Sequence, residues 1–146
     1  MTMLELCDHI YQNYPGMKRM FPRWQLLSLL DRNEDKIVHV EENGKSIASA
    51  LYVKLTDKTF SKLKFGFCDT TNSVEIQELM KESGDNVFIL YTLAASFKAI
   101  RAGLRALINT ENPKTISWYE PDKSMLHTYQ IRRQHVQENR SMVMEK

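Results

Sequence analysis

A chain of 146 residues, 42% hydrophobic and 26% charged, is sized and composed for one folded domain, too small for two ordinary ones and not disordered by default. Its formal net charge of +2 is too small to mark a nucleic-acid or membrane partner.

The first residues, MTMLELCDHIYQ, include acidic positions and lack a signal-peptide pattern. No run nears the roughly 18 apolar residues of a membrane span, so a cytoplasmic protein without a membrane partner is expected. Leu6, Ile10 and Tyr14 recur every four residues, which predicts a helix over 4–14 that stops before Pro15 and Gly16. A second helix is predicted to start at Pro22 and to turn Trp24, Leu27 and Leu30 inward. Cys7 and Cys68 stand far apart with no metal-ligand spacing, so both are expected as free thiols.

Between 36 and 55, Asn43-Gly44 supplies the two positive-φ positions of a type I′ hairpin turn. With those two as the loop, Glu42 faces Lys45, Val40 faces Ile47 and Val38 faces Ser49. That register gathers Val38, Val40, Ile47, Leu51 and Val53 on one face. Residues 60–67 alternate Lys62 and Lys64 with Leu63 and Phe65, which predicts a further strand with one solvated face. The DTTNS run at 69–73 offers caps for a helix carrying Val74, Ile76, Leu79 and Met80, ended by Gly84.

Residues 86–95 are apolar at nearly every position and read as a central strand buried on both faces. A helix over 97–110 follows, with Phe97, Ile100, Leu104, Leu107 and Ile108 on one side. Residues 115–119 and 125–131 form a predicted hairpin in which Ile116 and Trp118 share a face. The expected architecture is α/β (α+β): a mixed, mostly antiparallel central sheet with flanking helices and one parallel strand-helix-strand unit over 86–119. It occupies one domain, 1–133, followed by a polar tail, 134–146.

The turn between strand and helix in such a unit offers backbone N–H groups to anions. Ser96 is placed to cap that helix, and Lys98 puts a cation in its first turn, where the dipole disfavours it by about 0.3–1 kcal/mol unless an anion binds. Gly103, among Ala99, Ala102 and Ala106, reads as a close-packing position. Tyr119 and Glu120 end a strand beside a turn, as a proton donor and a base at a cleft mouth or as plain surface residues. Tyr91 and Trp118 read as core aromatics. His39, opposite Ala48, shares a face with Glu41, either as an acid-base pair or on a solvated sheet face. His127 and His135 have no ligand spacing, so no metal is expected, and Ser28, Ser49 and Ser117 lack any GxSxG context. The arginines of 130–140, diluted by Glu138, read as a solvated tail or a sequence-neutral phosphate contact.

The order of two helices, the hairpin VHVEENGKSIASALYV, a further strand or helix segment, a buried strand, a long helix and a closing strand pair resembles the GNAT family of N-acetyltransferases over roughly 4–131. It also looks like the small GNAT-like proteins of phages and mobile elements. The resemblance implies an acyl-CoA cosubstrate, acetyl-CoA or a longer one, an amine acceptor, and a cleft between two splayed strands. The backbone of Leu90, Tyr91, Thr92, Leu93 and Ala94 would align pantetheine and the acyl carbonyl. Amides of Ala95, Ser96, Phe97, Lys98 and Ala99 would hold pyrophosphate, and Tyr119 would be the acid, with Glu120 beside it. LAASFKAIRAG carries no paired glycines, where the family has R/Q-x-x-G-x-G/A. Other readings are a non-catalytic GNAT-fold module acting through a protein partner, and a basic-tailed nucleic-acid binder.

Overall fold

The computed structural model describes residues 2–120 and 125–131. The tail assigned from the sequence to 134–146, with His135 and Arg140, lies outside the described residues, as does the loop 121–124.

Helix α1 (Met3–Asn13) starts at a capping box: the Glu5 amide donates to Thr2 Oγ1 at 3.1 Å, and the Thr2 amide donates to Glu5 Oε1 at 2.9 Å. It buries Leu6, Cys7 and Ile10. A one-turn helix α2 (Gly16–Met20) follows, too short to show periodicity in the sequence. Helix α3 (Arg23–Arg32) takes Pro22 as its N-cap but buries Leu26, Leu29 and Leu30, leaving Trp24 69% exposed. The inward face is rotated by about one residue, ~100°, from the expected one.

Strands β1 (Ile37–Glu42) and β2 (Lys45–Leu55) form the expected hairpin, with Asn43 at φ 54° and Gly44 at φ 78°. Glu42 pairs with Lys45, but a bulge between Val40 and Glu41 leaves Ile47 as the extra residue. Val40 therefore pairs with Ala48, His39 with Ser49 and Val38 with Ala50. One extra residue exchanges the faces, so Val38 joins Ala50 and Tyr52 while Ile37 joins Leu51 and Val53.

The strand expected over 60–67 is instead helix α4 (Asp57–Lys64). Thr56 Oγ1 accepts from the Thr59 amide, Asp57 stands in the first turn, and Phe60 and Leu63, three apart, are buried together. Helix α5 (Ser73–Leu79), capped by Asn72, buries Ile76 and Leu79 and leaves Val74 exposed. Gly84 has a different role from ending that helix. Its amide donates to Lys54 O at 2.8 Å, and a Cβ there would lie 2.1 Å from Leu55 O. Only glycine lets this segment cross so close to β2.

Strand β3 (Asn86–Ala94), helix α6 (Phe97–Glu111) and strand β4 (Thr115–Glu120) form the predicted strand-helix-strand unit, and β5 (Met125–Gln130) returns beside β4. The sheet order is β1-β2-β3-β4-β5, with β3 and β4 parallel and the other neighbours antiparallel. One face packs on α1, α3, α4 and α5; the other packs Tyr52, Val87 and Ile116 against Leu107 of α6. This is the mixed, mostly antiparallel sheet with flanking helices expected from the sequence.

Two glycine substitutions should have opposite effects in urea unfolding. Gly84→Ala forces backbone apart and should cost on the order of 1–3 kcal/mol. Gly103→Ala would bring a Cβ to an ordinary 3.8 Å from Ala48 Cβ, so the α6 helix should gain up to about 1 kcal/mol.

Candidate functional site: a cleft where two strands part

The parallel pairing of β3 with β4 runs from Asn86↔Thr115 to Ile89↔Trp118. Beyond it β3 stays with β2 as far as Ala94↔Ala48, and β4 stays with β5 as far as Glu120↔Met125. Each strand keeps its outer neighbour and loses its inner one. The closed end of this opening is pinned by Asn86, buried to 1% exposure, which donates to Leu55 O and Asp57 Oδ1 and accepts from Thr115 Oγ1. Lys114 completes the network with a 2.6 Å ion pair to Asp57. That pair, and then the Asn86 hydrogen bond, hold the Asp57 carboxyl below its ordinary range.

The opening holds a cavity of about 830 Å³. Leu29, Leu51, Ile76, Tyr91 and Tyr119 line it on the side of α3 and α5, and Val38, Ala50, Leu104, Leu107 and Trp118 on the side of α6. The cavity is therefore bounded from both faces of the sheet. No charged side chain lines it among the described residues. Phe97, 83% exposed, and Ile100, which the sequence pattern set on the same helix face as Leu104 and Leu107, sit at its α6 edge.

Two polar groups in the wall stand out. Ser49 is 3% exposed and Tyr91 2%, and neither hydroxyl has a hydrogen-bond partner among the described residues. Burial pushes the Tyr91 phenol far above its ordinary range, and the nearby Ser49 hydroxyl opposes that rise without forming a well-directed hydrogen bond. The phenol is a protonated donor at any ordinary pH. Tyr91 is thus a core aromatic, as the sequence suggested, but one with an unused polar end.

Of the other expected cofactor residues, Leu90, Thr92, Phe97 and Ala99 also line the cavity, whereas Leu93, Ala94, Ala95, Ser96 and Lys98 do not. The backbone of Thr92 is engaged: its amide donates to the Tyr14 hydroxyl at 2.9 Å, and that hydroxyl donates to Thr92 O at 2.9 Å. Tyr14, the C-cap of α1, fills in for the missing β4 partner. The Ala95 amide donates to Ile47 O at 2.9 Å, and the Ala99 amide to Ser96 Oγ at 3.1 Å. That leaves the Phe97 and Lys98 amides of the first turn for an anion, with the exposed Lys98 side chain outside any ion pair among the described residues.

Tyr119 packs edge-on against Phe88, ring centroids 5.6 Å apart, and burial raises its phenol. The Glu120 side chain lies outside the described residues. His39 and Glu41 are exposed, straddle the bulge and stand apart from the cavity. Trp118 stacks on His127 at 5.8 Å and leans on Tyr129 at 5.3 Å. Among the described residues no group of three His, Cys, Asp or Glu is arranged to hold a metal, and no helix is long and apolar enough to cross a membrane. Cys7 and Cys68 are free thiols, both raised by burial.

Tyr14 and Ser49 carry the two features of the site that sequence reasoning missed. Tyr14 reads locally as a helix end, and its partner is 78 residues away. The chain matches no protein-family model, and no curated protein is detectably similar to it in sequence.

Tyr14→Phe should speed hydrogen exchange at the Thr92 amide and lower stability by about 0.5–1.5 kcal/mol, since both lost bonds lie at an exposed edge open to water. For Asp57 the depressed folded pKa means that its contribution is present above its ordinary value of 3.8 and lost as pH falls through the folded one. Asp57→Asn should therefore melt below wild type at pH 7, and the gap should close as pH drops below about 4.

Proposed function

We propose that the chain is an acyl-CoA-dependent N-acyltransferase of GNAT-like fold whose thioester lies in the cleft between β3 and β4. The observation that carries this reading is the parting of two parallel strands around a cavity bounded from both sheet faces, with the N-terminus of α6 at one edge. A cavity of about 830 Å³ falls in the range that encloses a drug-sized ligand. Ligands of α/β sheets sit at the carboxyl ends of parallel strands, which is where this cavity opens.

In this reading the amine nitrogen attacks the thioester carbonyl carbon, forming the C–N bond. The tetrahedral intermediate then expels the thiolate as the C–S bond breaks. Tyr119 is the candidate proton donor to the leaving thiolate, and Glu120, next along β4, the candidate acceptor of the amine's surplus proton. The Phe97 and Lys98 amides with the Lys98 ammonium are the candidate pyrophosphate contacts.

One observation favours a second reading, a non-catalytic module on the same scaffold. Tyr14 already occupies the Thr92 backbone that an extended pantetheine would use, so a ligand along β3 must displace it.

Thermal unfolding with acetyl-CoA, longer acyl-CoAs and free CoA separates the two. At a hundredfold excess over Kd, acyl-CoA should add about 2.7 kcal/mol, raising Tm by roughly 5–10 °C, and Lys98→Glu should weaken the effect. An unchanged Tm at millimolar ligand rules out the acyltransferase reading.

A further inference from the structure

The wall of the cavity has a chemistry of its own, independent of the nucleotide end of any cosubstrate. Among the described residues its lining has no carboxylate, ammonium, guanidinium or imidazole, so the described wall favours an uncharged ligand group. Against this apolar wall stand the two hydroxyls of Ser49 and Tyr91, almost fully buried and without a hydrogen-bond partner among the described residues. Leaving such groups unmade is costly to a fold, and an apolar replacement of the same shape removes the penalty. They lie on one face of adjacent strands: Ser49 pairs with Leu93 and Leu51 with Tyr91, so the two hydroxyl-bearing residues are diagonal neighbours.

We propose that the buried part of this cavity binds an uncharged acyl group longer than acetyl, with a hydroxyl or carbonyl oxygen hydrogen-bonded to Ser49 and Tyr91. The identity of the chain as an acyl group rests on the acyltransferase reading; the polar anchor in an apolar cavity does not. An acetyl group would leave most of the space empty and the two hydroxyls unmet. An oxygen carried on a longer chain satisfies both: Tyr91 donates to it, and Ser49 donates to it or accepts from it as the oxygen requires. A site built to hydrogen-bond a ligand oxygen rejects the analogue that lacks it more strongly than an apolar pocket rejects an extra methylene. The two hydroxyls would thus set ligand choice rather than stability.

The test uses the full chain and two CoA-free probes, p-cresol and toluene, which match in shape and differ by one hydroxyl, followed by nuclear magnetic resonance titration. Wild type should prefer p-cresol by about tenfold, and Tyr91→Phe and Ser49→Ala should each erode that preference. Both variants should melt at or above the wild-type temperature, which separates a ligand role from a structural one. In a second arm, 3-hydroxyoctanoyl-CoA should bind more tightly than octanoyl-CoA or acetyl-CoA. Equal binding of p-cresol and toluene by wild type, or variants that lose stability while keeping the preference, would overturn the polar anchor. A Tyr91-dependent preference with no response to any acyl-CoA would keep the anchor and overturn its assignment to an acyl chain.

Discussion

A β-strand that loses one neighbour halfway along its length must find other partners for its backbone or leave it to water and ligands. Strand β3 is in that position, since its pairing with β4 ends at Ile89↔Trp118 while its own course runs on to Ala94. The rest of the molecule is arranged around this. Asn86, Thr115 and Asp57 hold the paired end closed, β2 and β5 keep the diverging strands in the sheet, and helices on both faces wall the space between them. The Tyr14 hydroxyl covers one exposed residue of the open edge, with a donor and an acceptor in a single group that water or a ligand can replace.

The cavity that results combines apolar walls with polar groups left unmade, a combination that lowers stability and is kept where a ligand completes it. The N-terminus of α6 at its edge differs in character from its interior. Lys98 and the first-turn amides of α6 suit an anion, while Ser49 and Tyr91 suit a neutral oxygen. The proposed cosubstrate, with a phosphorylated head and an uncharged acyl tail, would use both.

Local chemistry was legible in the sequence wherever one or two residues decide the geometry. Asn43-Gly44 set the hairpin turn because few other residues accept two successive positive φ angles, and the apolar run of β3 with the periodic α6 marked the parallel unit. Where two patterns competed, the sequence misled. Lys62, Leu63, Lys64 and Phe65 alternate as a strand would, yet Phe60 and Leu63 also stand three apart behind a Thr56 cap, and packing chose the helix. The bulge at Val40 had no marker, because neither glycine nor proline accompanies it, and it moved Val38 to the α6 face. Tyr14 and Ser49 could not be singled out, since their roles depend on strands brought beside them only by folding.

The central claim, that the parted strands form the site of an acyl-CoA ligand, is tested most directly by amide hydrogen exchange across the chain with and without octanoyl-CoA. The account predicts slowed exchange confined to residues 90–94 of β3, the Phe97 and Lys98 amides and the 118–119 stretch of β4. Unchanged exchange in those segments at saturating ligand, or protection centred on another surface, would contradict it.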